Sequence, residues 1–232
     1  FGSSVNSLVK EALSYFNSKV TTDFAQLSTI IERVKVNVDN VTSWKTELGM
    51  MDDFVNVATD IMDAADLKTA LLTDGSTMLV DFGNALNKLK HSVLFGSEIK
   101  NIVNTVIDQV EDLSIENADM LTDSFTVIKR NINEAEDIDW GKEFGTMKTL
   151  LNSLMDLADS TTTSEQLVSI GKTFDTIITS DSKMITREVI NTILKTTITQ
   201  FAGEVESGSD LEDIINTSNF FISNFADKIF FI

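Results

Sequence analysis

Trp140-Gly141-Lys142-Glu143-Phe144-Gly145 echoes Trp44-Lys45-Thr46-Glu47-Leu48-Gly49 at a distance of 96 residues, and the two segments hold the only tryptophans of the chain. The echo extends outward in the same order. Upstream, Phe95-Gly96-Ser97-Glu98-Ile99 follows Phe1-Gly2-Ser3-Ser4-Val5, and Ile31-Glu32-Arg33 is matched by Ile128-Lys129-Arg130. Downstream, Ile61-Met62-Asp63-Ala64-Ala65-Asp66 is matched by Leu154-Met155-Asp156-Leu157-Ala158-Asp159, and Leu79-Val80-Asp81-Phe82-Gly83 by Leu167-Val168-Ser169-Ile170-Gly171. The spacing shrinks to 88 at Gly83, which gives the first copy extra residues around Leu67 to Ser76. A third start, Val189 to Leu194, matches Ile102 to Ile107 and leaves room for two helices. Self-similarity at a long period signals a chain of supersecondary units. The expected organisation is about two and a half copies of a unit of about 94 residues, at 1–94, 95–181 and a partial 182–232.

Each unit reads as four amphipathic helices. In the second, Ile99, Ile102, Val103, Val106, Val110 and Leu113 fall on one stripe of a first helix, and Leu121, Phe125, Ile128 and Ile132 on that of a second. Phe144, Met147, Leu151, Leu154, Met155 and Ala158 form the third stripe, and Leu167, Ile170, Phe174, Ile177 and Ile178 the fourth. Spacings of three and four residues place each set on one buried side of a helix. Start signals expected at the helix ends are Thr122-Asp123, if the second helix begins late, Ser164 with Glu165 and Gln166, and Asp210. Thr196 to Thr199 and Ile177 to Thr179 have strand-like composition, but the helical period outweighs it. The fold class is therefore all-α, as tandem four-helix units packed into one helical array or bundle.

Composition agrees. The chain of 232 residues has no proline and no cysteine. Proline breaks helix interiors and is common in loops, so its absence fits helices joined by plain turns. Without cysteine there are no disulfides, thiolate metal sites or cysteine nucleophiles. The net charge of −18 repels phosphate backbones, so nucleic acid is not an expected partner. No apolar run approaches the roughly 20 residues needed to cross a bilayer. A start at Phe1 suits either a processed product or an excerpt of a longer chain, and the first of these carries the expectation of an extracellular setting. Two glycosylation sequons, at Asn40 and Asn216, are of a kind frequent by chance and add little.

No catalytic constellation is legible and no cofactor is expected. The one histidine, His91, lies in Lys88-Leu89-Lys90-His91, where a helix C-terminus favours cations. Asp137-Ile138-Asp139-Trp140-Gly141-Lys142-Glu143 faintly suggests a cation loop but lacks its spacing; an acidic first turn with Asp139 as cap is the expected reading. A ligand cavity, if present, is expected to involve Trp44, Trp140, Met62, Met155, Phe82 and Phe174, because apolar and aromatic walls line small-molecule pockets. The C-terminal Phe221, Phe225, Ile229, Phe230 and Phe231 are too apolar for a free end and are expected to form a contact between chains. The leading expectation is a non-enzymatic, secreted, structural or self-associating repeat protein. The alternative is a carrier of lipid or another apolar small molecule.

Overall fold

A computed structural model of the chain describes residues 2–20, 25–61, 77–112, 119–158 and 164–204. Among these residues there are nine α-helices and no strand: α1 (Gly2–Asn17), α2 (Ala25–Asn37), α3 (Trp44–Ile61), α4 (Met78–Leu89), α5 (Ile99–Asp112), α6 (Asp119–Glu134), α7 (Trp140–Ala158), α8 (Ser164–Thr179) and α9 (Arg187–Glu204). Short 3-10 turns extend α2 (Val38–Asn40) and precede α5 (Gly96–Glu98).

The apolar stripes meet in one continuous core from Val9 to Ile193. Two tracks of neighbours run through it. On one, α1 packs on α2, α2 on α5, α5 on α6, and α6 on α9. On the other, α3 packs on α4, α4 on α7, and α7 on α8. The strand-like segments are helical because their apolar residues recur at helical spacing: Ile170, Phe174 and Ile177 are all buried along α8.

Phe82, on α4, sits where the second track tightens. Its ring lies 6.3 Å from that of Phe54 on α3 and 5.3 Å, edge to face, from that of Phe144 on α7. Such pairs add about 0.5–1.5 kcal/mol beyond the area they bury. One residue on, Gly83 brings the α4 backbone against the start of α7. A Cβ there would lie 2.7 Å from the Trp140 carbonyl carbon and 2.9 Å from the Gly141 Cα. Both obstacles are backbone and cannot rotate away, so only glycine allows this approach.

Two expectations need correction. Thr122 and Asp123 do not cap the helix around them, because α6 begins earlier, at Asp119, and encloses them. The spacing of 97 that pairs Arg33 with Arg130 is also not the structural register. Asn37 and Asn131, 94 apart, each donate from Nδ2 to a backbone carbonyl, Leu94 at 3.2 Å and Met184 at 3.1 Å. Buried Val34 and Val38 are likewise 94 residues before buried Ile128 and Ile132. The two arginines still do similar work from different places, pairing with Glu98 and Glu188 at 3.1 and 2.6 Å. Asp210 and the extra residues around Leu67 to Ser76 lie outside the described residues.

Candidate functional site

The most organised polar chemistry is a buried carboxylate clasp, and it occurs twice. Glu143, in the first turn of α7, is 1% exposed. Its Oε2 accepts the Ser182 hydroxyl and the Met184 N–H (3.0 Å), and its Oε1 accepts the Lys183 N–H (2.8 Å). Ser182 Oγ in turn accepts the Ile185 N–H at 2.8 Å. The carboxylate thus satisfies the turn between α8 and α9, whose backbone has no helical partner of its own. Asp181 opens that turn at φ 55°, a left-handed conformation.

Glu47, in the first turn of α3, does the same for the turn after α4. Its Oε2 accepts the Ser92 hydroxyl at 2.5 Å and its Oε1 accepts the Val93 N–H at 3.2 Å. Ser92 Oγ accepts the Leu94 and Phe95 N–H groups at 3.0 and 3.2 Å. Charge-assisted bonds of this kind are about twice as strong as neutral ones. A buried carboxylate is tolerated only when it is bonded this fully.

The Trp140 region is held by a second set of contacts. Asp139 accepts the Lys142 N–H at 3.3 Å, so it caps α7 as expected. Asn87 on α4 accepts the Trp140 N–H at 2.9 Å and donates to Asp139 at 2.7 Å. The Asn87 amide, then the Lys142 backbone, hold the Asp139 carboxyl below its usual 3.8. Asp137 sits at φ 50° and is exposed, near Lys90 at 3.7 Å. Among the described residues no three His, Asp or Glu side chains converge to hold a metal ion.

Of the six residues named for a cavity, four have described side chains. Trp140, Phe82 and Phe174 are buried in the core. Trp44 is half-buried and donates its Nε1–H to Asn6 of α1 at 3.0 Å. Met62 and the C-terminal Phe221, Phe225, Ile229, Phe230 and Phe231 lie outside the described residues, as does the side chain of Met155. Leu27, Phe54, Ala58, Ile61, Phe82, Ile102, Thr105 and Val106 line a small recess with a volume of about 10 Å³. That is room for a single water at most. His91 follows the end of α4 and is exposed.

Sequence reading passed over Glu47, Glu143, Ser92, Ser182, Asn37 and Asn131. Their signal was present: Trp-x-x-Glu occurs twice, at Trp44 and Trp140, and His91-Ser92-Val93-Leu94-Phe95 parallels Asp181-Ser182-Lys183-Met184-Ile185. An acid in a first helical turn has a ready explanation in the helix dipole, and that explanation hid the second role. No protein-family model matches the chain, nor does any curated protein or solved structure.

Proposed function

We propose that the chain is a tandem helical repeat protein with a structural, self-associating role in an extracellular setting, and that it is not an enzyme. The observation that carries the reading is the twice-built clasp. Glu47 with Ser92 and Glu143 with Ser182 join the third helix of a unit to the turn that opens the next. Asn37 and Asn131 tie the second helix to that same turn. A device that fixes one unit to its successor is what a stacked array requires, since each unit buries its apolar face only against a neighbour.

The buried polar groups of both clasps support this reading further. They are occupied in holding turns, with none left over to face a substrate.

Native mass spectrometry on protein from its source, over a concentration series, tests the proposal. Clean multiples of the 25.6 kDa chain mass are expected. A bare monomer at every concentration removes self-association. An excess mass released by organic solvent replaces the reading with the carrier.

A further inference from the structure

Asn40-Val41-Thr42 lies in the turn between α2 and α3 and has the form of a glycosylation sequon, with valine in the middle position that proline would spoil. Such triplets arise often by chance, so placement decides whether one can act. Here the turn is pinned at every second residue. Asp39 accepts the Asn6 amide at 3.0 Å and the Lys10 ammonium at 2.9 Å, both from α1. Val41 packs against the core. The Ser43 carbonyl accepts the Thr46 and Glu47 N–H groups at 3.1 Å, and its hydroxyl pairs with that of Thr46 at 3.0 Å.

Asn40 and Thr42 are what these pins leave over. Val41 has an extended backbone, with φ −72° and ψ 125°, and along an extended chain successive side chains point to opposite sides. With Val41 turned inward, Asn40 and Thr42 both turn outward, and both are exposed. Neither side chain makes a hydrogen bond among the described residues. The amide and the hydroxyl of the triplet are thus free on one side of the turn. This exposure survives the packing of one unit on the next. The matching turn between α6 and α7 meets α4, where Asn87 bonds Asp139 and Lys90 bonds the Ile138 carbonyl at 3.5 Å, and it buries Ile138. Glu134 and Glu136, which match Asn40 when counted from Asn37 and from Trp44 respectively, stay exposed all the same.

We propose that Asn40 is an N-glycosylation site, carrying an oligosaccharide through its Nδ2. The proposal rests on the extracellular setting given above, since the transfer takes place on the secretory route. The donor is an oligosaccharide held at C1 by a lipid diphosphate. The Asn40 amide nitrogen attacks C1, and the bond from C1 to the phosphate oxygen breaks. The lipid diphosphate leaves with the bonding pair, and the nitrogen releases one proton. An N–C1 bond replaces a C1–O bond, with nothing oxidised or reduced. A glycan is bulky and solubilising. At Asn40 it stands beside the surface that joins unit to unit, so stacking and glycosylation are compatible.

The full chain, secreted from a eukaryotic host behind a cleavable signal, tests the site. Asn216→Gln is present throughout, so that the second sequon adds no sugar. The expected result is an intact mass above that of the bare chain, with the excess removed by peptide N-glycosidase, which converts the Asn40 amide to a carboxylate. Asn40→Gln and Thr42→Ala should each abolish the excess. Because both side chains are exposed and unbonded, neither change should move the Tm by more than about 2 °C, which separates a lost site from a lost fold. A secreted chain with Asn40 unmodified overturns the proposal, and so does an excess that persists in either variant. Secretion is imposed by the host, so these outcomes leave the natural setting to be tested separately, by locating the chain in its source. The added mass is covalent and survives organic solvent, so it is not mistaken for a carrier's cargo; once it is removed, multiples of 25.6 kDa still report self-association.

Discussion

The Glu143 and Glu47 clasps differ in how completely they are closed. Glu143 accepts three donors at 1% exposure, whereas Glu47 accepts two at 5% and leaves the Leu94 N–H to Ser92. The difference continues into the next residue. Phe144 is fully buried against Phe82, but its counterpart Leu48 is 45% exposed. Among the described residues, helix α7 packs on both α4 and α8, while α3 packs along the second track on α4 alone. A neighbour on the second side excludes water from the carboxylate, which makes each of its hydrogen bonds count for more.

Removing the two carboxylates breaks or confirms that contrast, and gives the largest effect expected. Glu143→Ala leaves three buried donors unmet, and a loss of about 3–5 kcal/mol follows at about 1–3 kcal/mol for each unsatisfied group, partly offset by relaxation. Glu47→Ala strands two donors nearer solvent and is expected to lose about 2 kcal/mol. Chemical denaturation of both variants checks the order. Equal losses would mean that the neighbour on the far side of α7 adds nothing.

The glycines sharpen the comparison at a smaller scale. Gly83→Ala forces a methyl into the Trp140 backbone and should lose about 1–3 kcal/mol. Gly49 has nothing within 4 Å of an added Cβ. There the same substitution should stabilise by up to about 1 kcal/mol, through helix propensity. Thermal melts of the two variants should therefore move in opposite directions.

Acid gives the smallest effect. Asp39, before α3, is lowered by its hydrogen bonds to Lys10 and Asn6, and Asp139, before α7, by its bond to Asn87 first. A carboxyl lowered in the folded state stabilises the fold above its ordinary value near 3.8. That contribution is lost as pH falls through the lower, folded value. Asp139→Asn should flatten the fall in Tm across that acid range by lowering the Tm slightly at neutral pH and leaving it nearly unchanged near pH 2. A melting series from pH 6 to about pH 2 shows whether it does.

Much of the architecture was legible because burial leaves a periodic mark. Ile102, Val103, Val106, Phe125, Ile128, Phe144, Met147, Leu151, Ile170, Phe174 and Ile177 were all placed on inward faces by spacing, and all are buried. The Asp139 cap was legible too, since a cap is local to its helix. The clasps were not. Glu143 and Ser182 are 39 residues apart, and no periodicity reports which distant turn a side chain will reach. The helix register was misread at Arg33 and Arg130 for a related reason. An exposed arginine can reach a glutamate beyond the turn from more than one position, as Arg33 reaches Glu98 and Arg130 reaches Glu188, whereas Asn37 and Asn131 must each meet a fixed carbonyl.

The two tracks also dictate how the molecule would respond to force. Each described helix packs chiefly on its neighbours within a track, and the clasps stitch one track to the other at the turns. A pull applied at the chain ends would load these stitches one after another instead of shearing the whole core together. Extension should then proceed as a series of discrete yields, with the stitch at Glu47 giving way at lower tension than the one at Glu143.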